Sequence, residues 1–188
     1  MKKIILTSLS VAALFYTLWY MHFGSLIENS GALSTTGLSH PVAFTIWGVL
    51  TFTALYSNIL YAYGELPRKH KFQYVLCGVS AIGMVLTLAC DFDYRKQTEY
   101  LLHCAGSLTF SVLTGICVFV LFLLNFKKSR MFSVFTYIIG AILIIDLIML
   151  IIFQENALIE TVPVLFALIT LPIMNFTNLF KEKAYASR

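Results

Sequence analysis

The amino-acid sequence predicts an all-α polytopic membrane protein, a bundle of six transmembrane helices with its N and C termini cytoplasmic. Three observations predict it: an apolar composition, six long runs almost free of charge, and basic residues gathered on one side of the alternating pattern. The 188 residues are 59% apolar and only 12% charged, where a soluble domain carries about 25% charged residues. There is too little polar surface to cover a water-soluble globule. A soluble enzyme, a disordered tail and a nucleic-acid-binding domain are excluded, although the net charge is +4.

Crossing a hydrocarbon core of about 30 Å takes roughly 20 apolar residues at ~1.5 Å each. The windows that meet this demand are about 4–22, 42–63, 72–90, 101–125, 132–153 and 158–180. Lys2 and Lys3 precede the first, which carries Phe15, Tyr16, Trp19 and Tyr20. Its length, its aromatic content and the lack of a nearby small-x-small site make it a retained span, not a cleaved signal peptide. His40-Pro41 leads into the second, and Gly64-Glu65-Leu66-Pro67 turns the chain after it. The polar stretch Asp91 to Glu99 ends the third, and Phe126 to Arg130 ends the fourth. The fifth contains Asp146. The sixth follows Gln154-Glu155-Asn156, has Glu160 at its mouth, and carries Pro163 and Pro172, the latter expected to kink it. Connections this short leave one domain over 1–188.

Short cytoplasmic loops collect lysine and arginine. Lys2, Lys3, Arg68, Lys69, Lys71, Lys127, Lys128, Arg130, Lys181, Lys183 and Arg188 fall on one face of the alternation, and only Arg95 and Lys96 on the other. The first face is expected to be cytoplasmic. His70, between Lys69 and Lys71, reads as an ordinary residue of a cytoplasmic loop.

Cys77, Cys90, Cys104 and Cys117 form no CxxC pair, so thioredoxin-like and zinc-ribbon readings fail. Cys90 and Cys104, near the outer ends of consecutive helices, have two readings: a disulfide in an oxidising compartment, or packing between helices. Ser80, Gly83, Thr87 and Asp91 make one stripe on the third span, and His103, Ser107, Ser111 and Gly115 another on the fourth. Such stripes of small residues let helices approach closely, within the bundle or in a homo-oligomer, and these two are expected to meet.

Ionisable groups at membrane depth are costly and usually face a cavity or a partner. The predicted topology gathers His22, His40, His103, Asp91, Asp93, Glu28, Glu155, Glu160 and, deeper, Asp146 on the outer side. Two readings follow. In one, His22, His40, His103 and Asp91 (or Asp93) hold a zinc ion whose open position activates water, with His103, Asp93 and Ser107 as the catalytic set. In the other, helix ends at the headgroup level simply carry these residues, in contact with water and paired with Arg95 or Lys96. No ligand spacing as tight as HExxH supports the first. Asp146 reads either as an ion-site or proton-relay carboxylate, or as an acid hydrogen-bonded across helices with no second buried acid or base at its depth.

Gly78-x4-Gly83, Cys90-Asp91-Phe92-Asp93, Leu102-His103-x3-Ser107 and the upstream Leu33-Ser34-Thr35-Thr36-Gly37 before His40-Pro41 together resemble a bacterial six-span family known as domain of unknown function nine-nine-eight. The resemblance covers roughly residues 24–112, and Phe92 stands where the family often has proline. It implies a six-helix fold in the inner membrane of a bacterium, with Ser34, Asp93 and His103 as the matching positions. A more distant likeness is to the ceramidase and progestin-receptor-like membrane hydrolases. Those hold zinc with a Ser-x3-His and a His-x3-His pair, whereas here the order is His103-x3-Ser107 and no His-x3-His occurs.

The function expected from these readings is lipid binding or metal-assisted lipid hydrolysis in an outer-leaflet pocket around His103, with membrane lipids as partners. A non-enzymatic accessory, binding or transport role is the alternative. A third reading is a haem-binding electron carrier, with iron held by His103 and either His22 or His40. The absence of an internal repeat argues against a secondary transporter.

Overall fold

Lys2–Tyr20 forms the first helix, α1, tightening into a 3-10 turn over Met21–Phe23. A second 3-10 turn, Asn29–Gly31, leads into a short helix, α2, over Leu33–Ser39. The remaining helices are α3 (Pro41–Gly64), α4 (Lys71–Ala89), α5 (Gln97–Leu124), α6 (Arg130–Phe153) and α7 (Ala157–Phe176). The computed structural model describes residues 2–66 and 71–180. Arg68, Lys69, Lys181, Lys183 and Arg188, which contribute to the predicted charge asymmetry, lie outside the described residues, as does His70.

All the described secondary structure is helical, and six of the helices are long and apolar enough to cross a membrane. They fall on the six predicted windows, so the chain is an all-α multi-pass membrane bundle. Local chemistry sets several boundaries. Pro41 opens α3, where its missing N–H costs nothing. Ser129 and Asn156 cap α6 and α7 by accepting from Phe132 N and Ile159 N. Gln154 turns the chain out of α6 with φ of 60°. Within α7 the helix runs on through Pro163 and Pro172 to Phe176.

Consecutive long helices run antiparallel. Asn58 on α3 donates to Ser10 on α1 (3.0 Å), while near the other end Tyr16 donates to the Ala43 carbonyl (3.3 Å). One end of the bundle therefore carries Lys2, Lys3, Lys71, Lys127, Lys128 and Arg130. The other carries the segment 21–40, the loop 90–96 and the turn 154–156.

The tightest crossing joins α4 to α5. A Cβ on Gly83 would lie 2.8 Å from the Gly106 carbonyl oxygen, and one on Gly106 would lie 2.7 Å from that of Gly83. Ser80 reinforces the contact, donating to the Phe110 carbonyl (3.1 Å) and lying 2.9 Å from the Thr114 hydroxyl. The α4 stripe thus packs as expected, but its counterpart on α5 is Gly106–Phe110–Thr114. Ser107, Ser111 and Gly115 look instead toward α6 and α7. The core between the helices is Ala54, Leu55, Ile59, Tyr63, Val118, Leu121, Phe122, Ile139 and Leu171. All four cysteines are free. Cys90 and Cys104 are unbridged, and the thiols that approach are Cys77 and Cys117, 3.7 Å apart in the α4–α5 seam.

Candidate functional site

Two polar constructions occupy the end of the bundle that carries the segment 21–40. The first centres on His103, buried to 2% exposure on the first turns of α5. Side chains of a helix tilt toward its N-terminus, so this imidazole reaches outward, away from Ser107 one turn further in. Its Nδ1 donates to the Cys90 carbonyl (2.9 Å), and its Nε2 lies 2.9 Å from Ser34 Oγ. A carbonyl only accepts, which places a proton on Nδ1; in the neutral ring Nε2 then accepts the Ser34 hydroxyl hydrogen. Phe44 stacks on the ring (centroids 5.9 Å) and Phe92 packs against it at 5.1 Å. Ser34 is 4% exposed. The pair is sealed and fully hydrogen-bonded, joining α2, the end of α4 and α5.

This arrangement corrects the expected site. Asp93 does not reach His103: it accepts from the backbone N–H and Nε of Arg95 (3.0 and 3.2 Å) in an exposed loop. Asp91 pairs with Lys96 at 2.6 Å, and Lys96 lies 3.5 Å from Glu99. The Arg95 N–H holds Asp93 below the ordinary carboxylate range, and the bond to Asp91 holds Lys96 above the ordinary amine range. Arg95 and Lys96 are thus the partners of these two acids, in a loop exposed at the end of the bundle. His22 and His40 are exposed, and His40 packs on Phe23 (4.6 Å).

His22, His40, His103 and Asp91 therefore do not converge. Among the described residues no three His, Cys, Asp or Glu side chains gather as a metal site. Equal depth along different helices does not bring side chains to the same point around the bundle. The zinc set fails on that geometry. So does the haem pair, because both ring nitrogens of His103 are engaged and its proposed partners face outward. The residues present do not fit either group.

The second construction is a cavity of about 350 Å³ between α5, α6 and α7. Its walls are mostly apolar, including Leu55, Phe110, Leu143, Leu147 and Val164, with the hydroxyls of Ser107, Ser111 and Thr114 on the α5 side. Asp146, Glu155 and Glu160 line it as well. Asp146 thus does have a second partly buried acid beside it, contrary to expectation, since Glu160 one turn into α7 shares its cavity. Glu160 is held in place by accepting the Leu33 N–H at the start of α2. Tyr20 donates to the Leu33 carbonyl (3.0 Å) and Asn29 to the Glu155 carbonyl (2.9 Å), and Leu158 N–H bonds the Leu26 carbonyl (3.2 Å). The segment 24–40 is thereby stitched to the first turn of α7.

Of the predicted catalytic residues, only Ser107 touches this cavity. Glu160 is legible in the sequence as an acid at a helix mouth but not as a cavity wall, because hydropathy carries no rotation about the bundle axis. No family model, curated protein or solved structure matches the chain.

Proposed function

We propose that this is a lipid-binding protein of a bacterial inner membrane, and that its ligand occupies the cavity between α5, α6 and α7. The observation that carries this reading is the cavity itself. At about 350 Å³ it falls within the range of small-molecule sites, roughly 300–1,000 Å³, and it has their chemistry of apolar walls with a few polar groups. The cavity opens on the outer surface of the bundle, where its lining residues Leu108, Ile144 and Leu147 are exposed. A site lined this way inside hydrocarbon takes an amphiphile from the surrounding bilayer.

Binding is favoured over hydrolysis. Among the described residues the one serine–histidine pair, Ser34–His103, is sealed between Phe44 and Phe92, and none of those lining the cavity is histidine or cysteine. The charge distribution supports an orientation with the Lys2, Lys127 and Lys128 end in the cytoplasm, which puts the acidic end of the cavity near the outer leaflet.

Reconstituted protein should retain a fluorescent single-chain lipid probe. Ser107→Phe, which places a ring in the cavity, should weaken that retention at least about tenfold. Equal retention by the variant would exclude this cavity as the binding site.

A further inference from the structure

The polar end of the cavity has chemistry of one kind. Asp146 from α6, Glu160 from α7 and Glu155 from the turn between them all line it, and none of the lining residues is Lys, Arg or His. Asp146 makes no ion pair or hydrogen bond among the described residues. Glu160 commits Oε2 to the Leu33 N–H and keeps its other oxygen uncommitted. Pro163 has no N–H to return to the Ile159 carbonyl, and both residues line the same space. Among the described residues no positive charge answers these acceptors, and the donors that share the cavity are the hydroxyls of Ser107, Ser111 and Thr114 on the α5 side.

An unpaired carboxylate at membrane depth is expensive, and two facing one apolar chamber are more so. A cation is the partner that would let both groups stay ionised. A bare metal ion would meet the carboxylates but leave most of the 350 Å³ apolar volume empty. An anionic lipid headgroup would meet like charge. What satisfies both ends is a molecule with a positive nitrogen and a hydrocarbon tail.

We infer that the cavity takes a cationic amphiphile, a long-chain ammonium compound. Its nitrogen lies between Asp146 and Glu160, and its chain runs along the apolar faces of α5 and α6. The inference rests on the lipid-binding reading above and adds the charge of the headgroup to it.

The test compares dodecylamine, a cation at neutral pH, with dodecanol, binding each to the full-length protein in nanodiscs. The amine should bind at least about tenfold more tightly than the alcohol. Asp146→Asn combined with Glu160→Gln should bring the amine down to the alcohol's affinity and leave the alcohol unchanged; glutamine still offers an acceptor to Leu33. If the double variant does not fold, Asp146→Asn alone, which breaks no hydrogen bond, must weaken the amine selectively. Equal affinity of the two ligands for the unmodified protein overturns the cation and leaves the lipid site standing. Binding of neither ligand overturns both.

Discussion

His103 Nε2 lies 2.9 Å from the hydroxyl oxygen of Ser34, joining two side chains 69 residues apart across the outer end of the bundle. The other ring nitrogen holds the last carbonyl region of α4 through Cys90. One imidazole thus joins three segments, α2, the end of α4 and α5, and its environment is that of a structural fastener.

Ser34→Ala should therefore lower stability by about 1 kcal/mol, the scale of a hydrogen bond within a membrane bundle. His103→Ala should cost more, about 2–3 kcal/mol, because it also empties the space between Phe44 and Phe92 and strands the Cys90 carbonyl. Unfolding in mixed micelles measures both. A His103→Ala protein as stable as the parent would show that the fastener is not one.

Gly83→Ala and Gly106→Ala should each destabilise by about 1–3 kcal/mol, the usual cost of forcing a methyl group into a packed contact. The added carbon would meet backbone on the facing helix, 2.8 or 2.7 Å away, so no side-chain rotation relieves it. Gly78, on the same helix, meets nothing within 4 Å, and Gly78→Ala is the control that should leave the unfolding midpoint unharmed. Equal behaviour of all three would refute the close crossing.

The orientation can be read chemically. In a background lacking Cys90 and Cys104, Arg95→Cys should react in intact cells with a membrane-impermeant maleimide, and Lys127→Cys should react only after lysis. The opposite pattern would invert the proposed topology and move the cavity's acidic end to the inner leaflet.

The loop after α4 should hold its conformation across a wide pH range. Asp93 is depressed below its reference value of 3.8, so its contribution is complete above that pH and lost as acid carries the medium through the lower folded value. Lys96 is raised above 10.5, so its contribution is complete below that pH and lost in stronger base. Both groups are exposed and their pairs weak. Amide hydrogen exchange of residues 91–99, corrected for intrinsic rates, should therefore stay flat between these limits and rise outside them. A step near neutrality would point to a different titrating group.

Hydropathy made the six spans readable because a bilayer imposes one length and one composition on any helix that crosses it. The same rule hides what is not a span. Leu33-Ser34-Thr35-Thr36-Gly37-Leu38-Ser39 has the composition of a loop, and it becomes helical as α2 where the ends of α1, α5 and α7 offer partners such as Tyr20, His103 and Glu160. Depth in the membrane could be inferred for every histidine and acid, but rotation about the bundle axis could not. His22 and His40 lie at the same end of the bundle as His103 and are exposed, while the ring of His103 turns toward Ser34. The same lack of rotational information put Ser107 rather than Gly106 on the α4-facing side of α5.

The backbone contact of Gly83 with Gly106 also has a consequence for biogenesis. These two spans are neighbours in sequence, so their docking closes only a short loop and can begin while the ribosome is still extending the chain. The amino-terminal part is in the opposite position, because Leu33 must wait for Glu160 and Asn58 for Asn175, both of which are synthesised late. A chain truncated after Leu124 should accordingly carry a protease-resistant α4–α5 hairpin, while its segment 24–40, held by Tyr20 and His103 but lacking the bonds to Glu155, Leu158 and Glu160, should be cleaved faster than in the whole chain. Resistance of that segment before α7 is made would reverse the order.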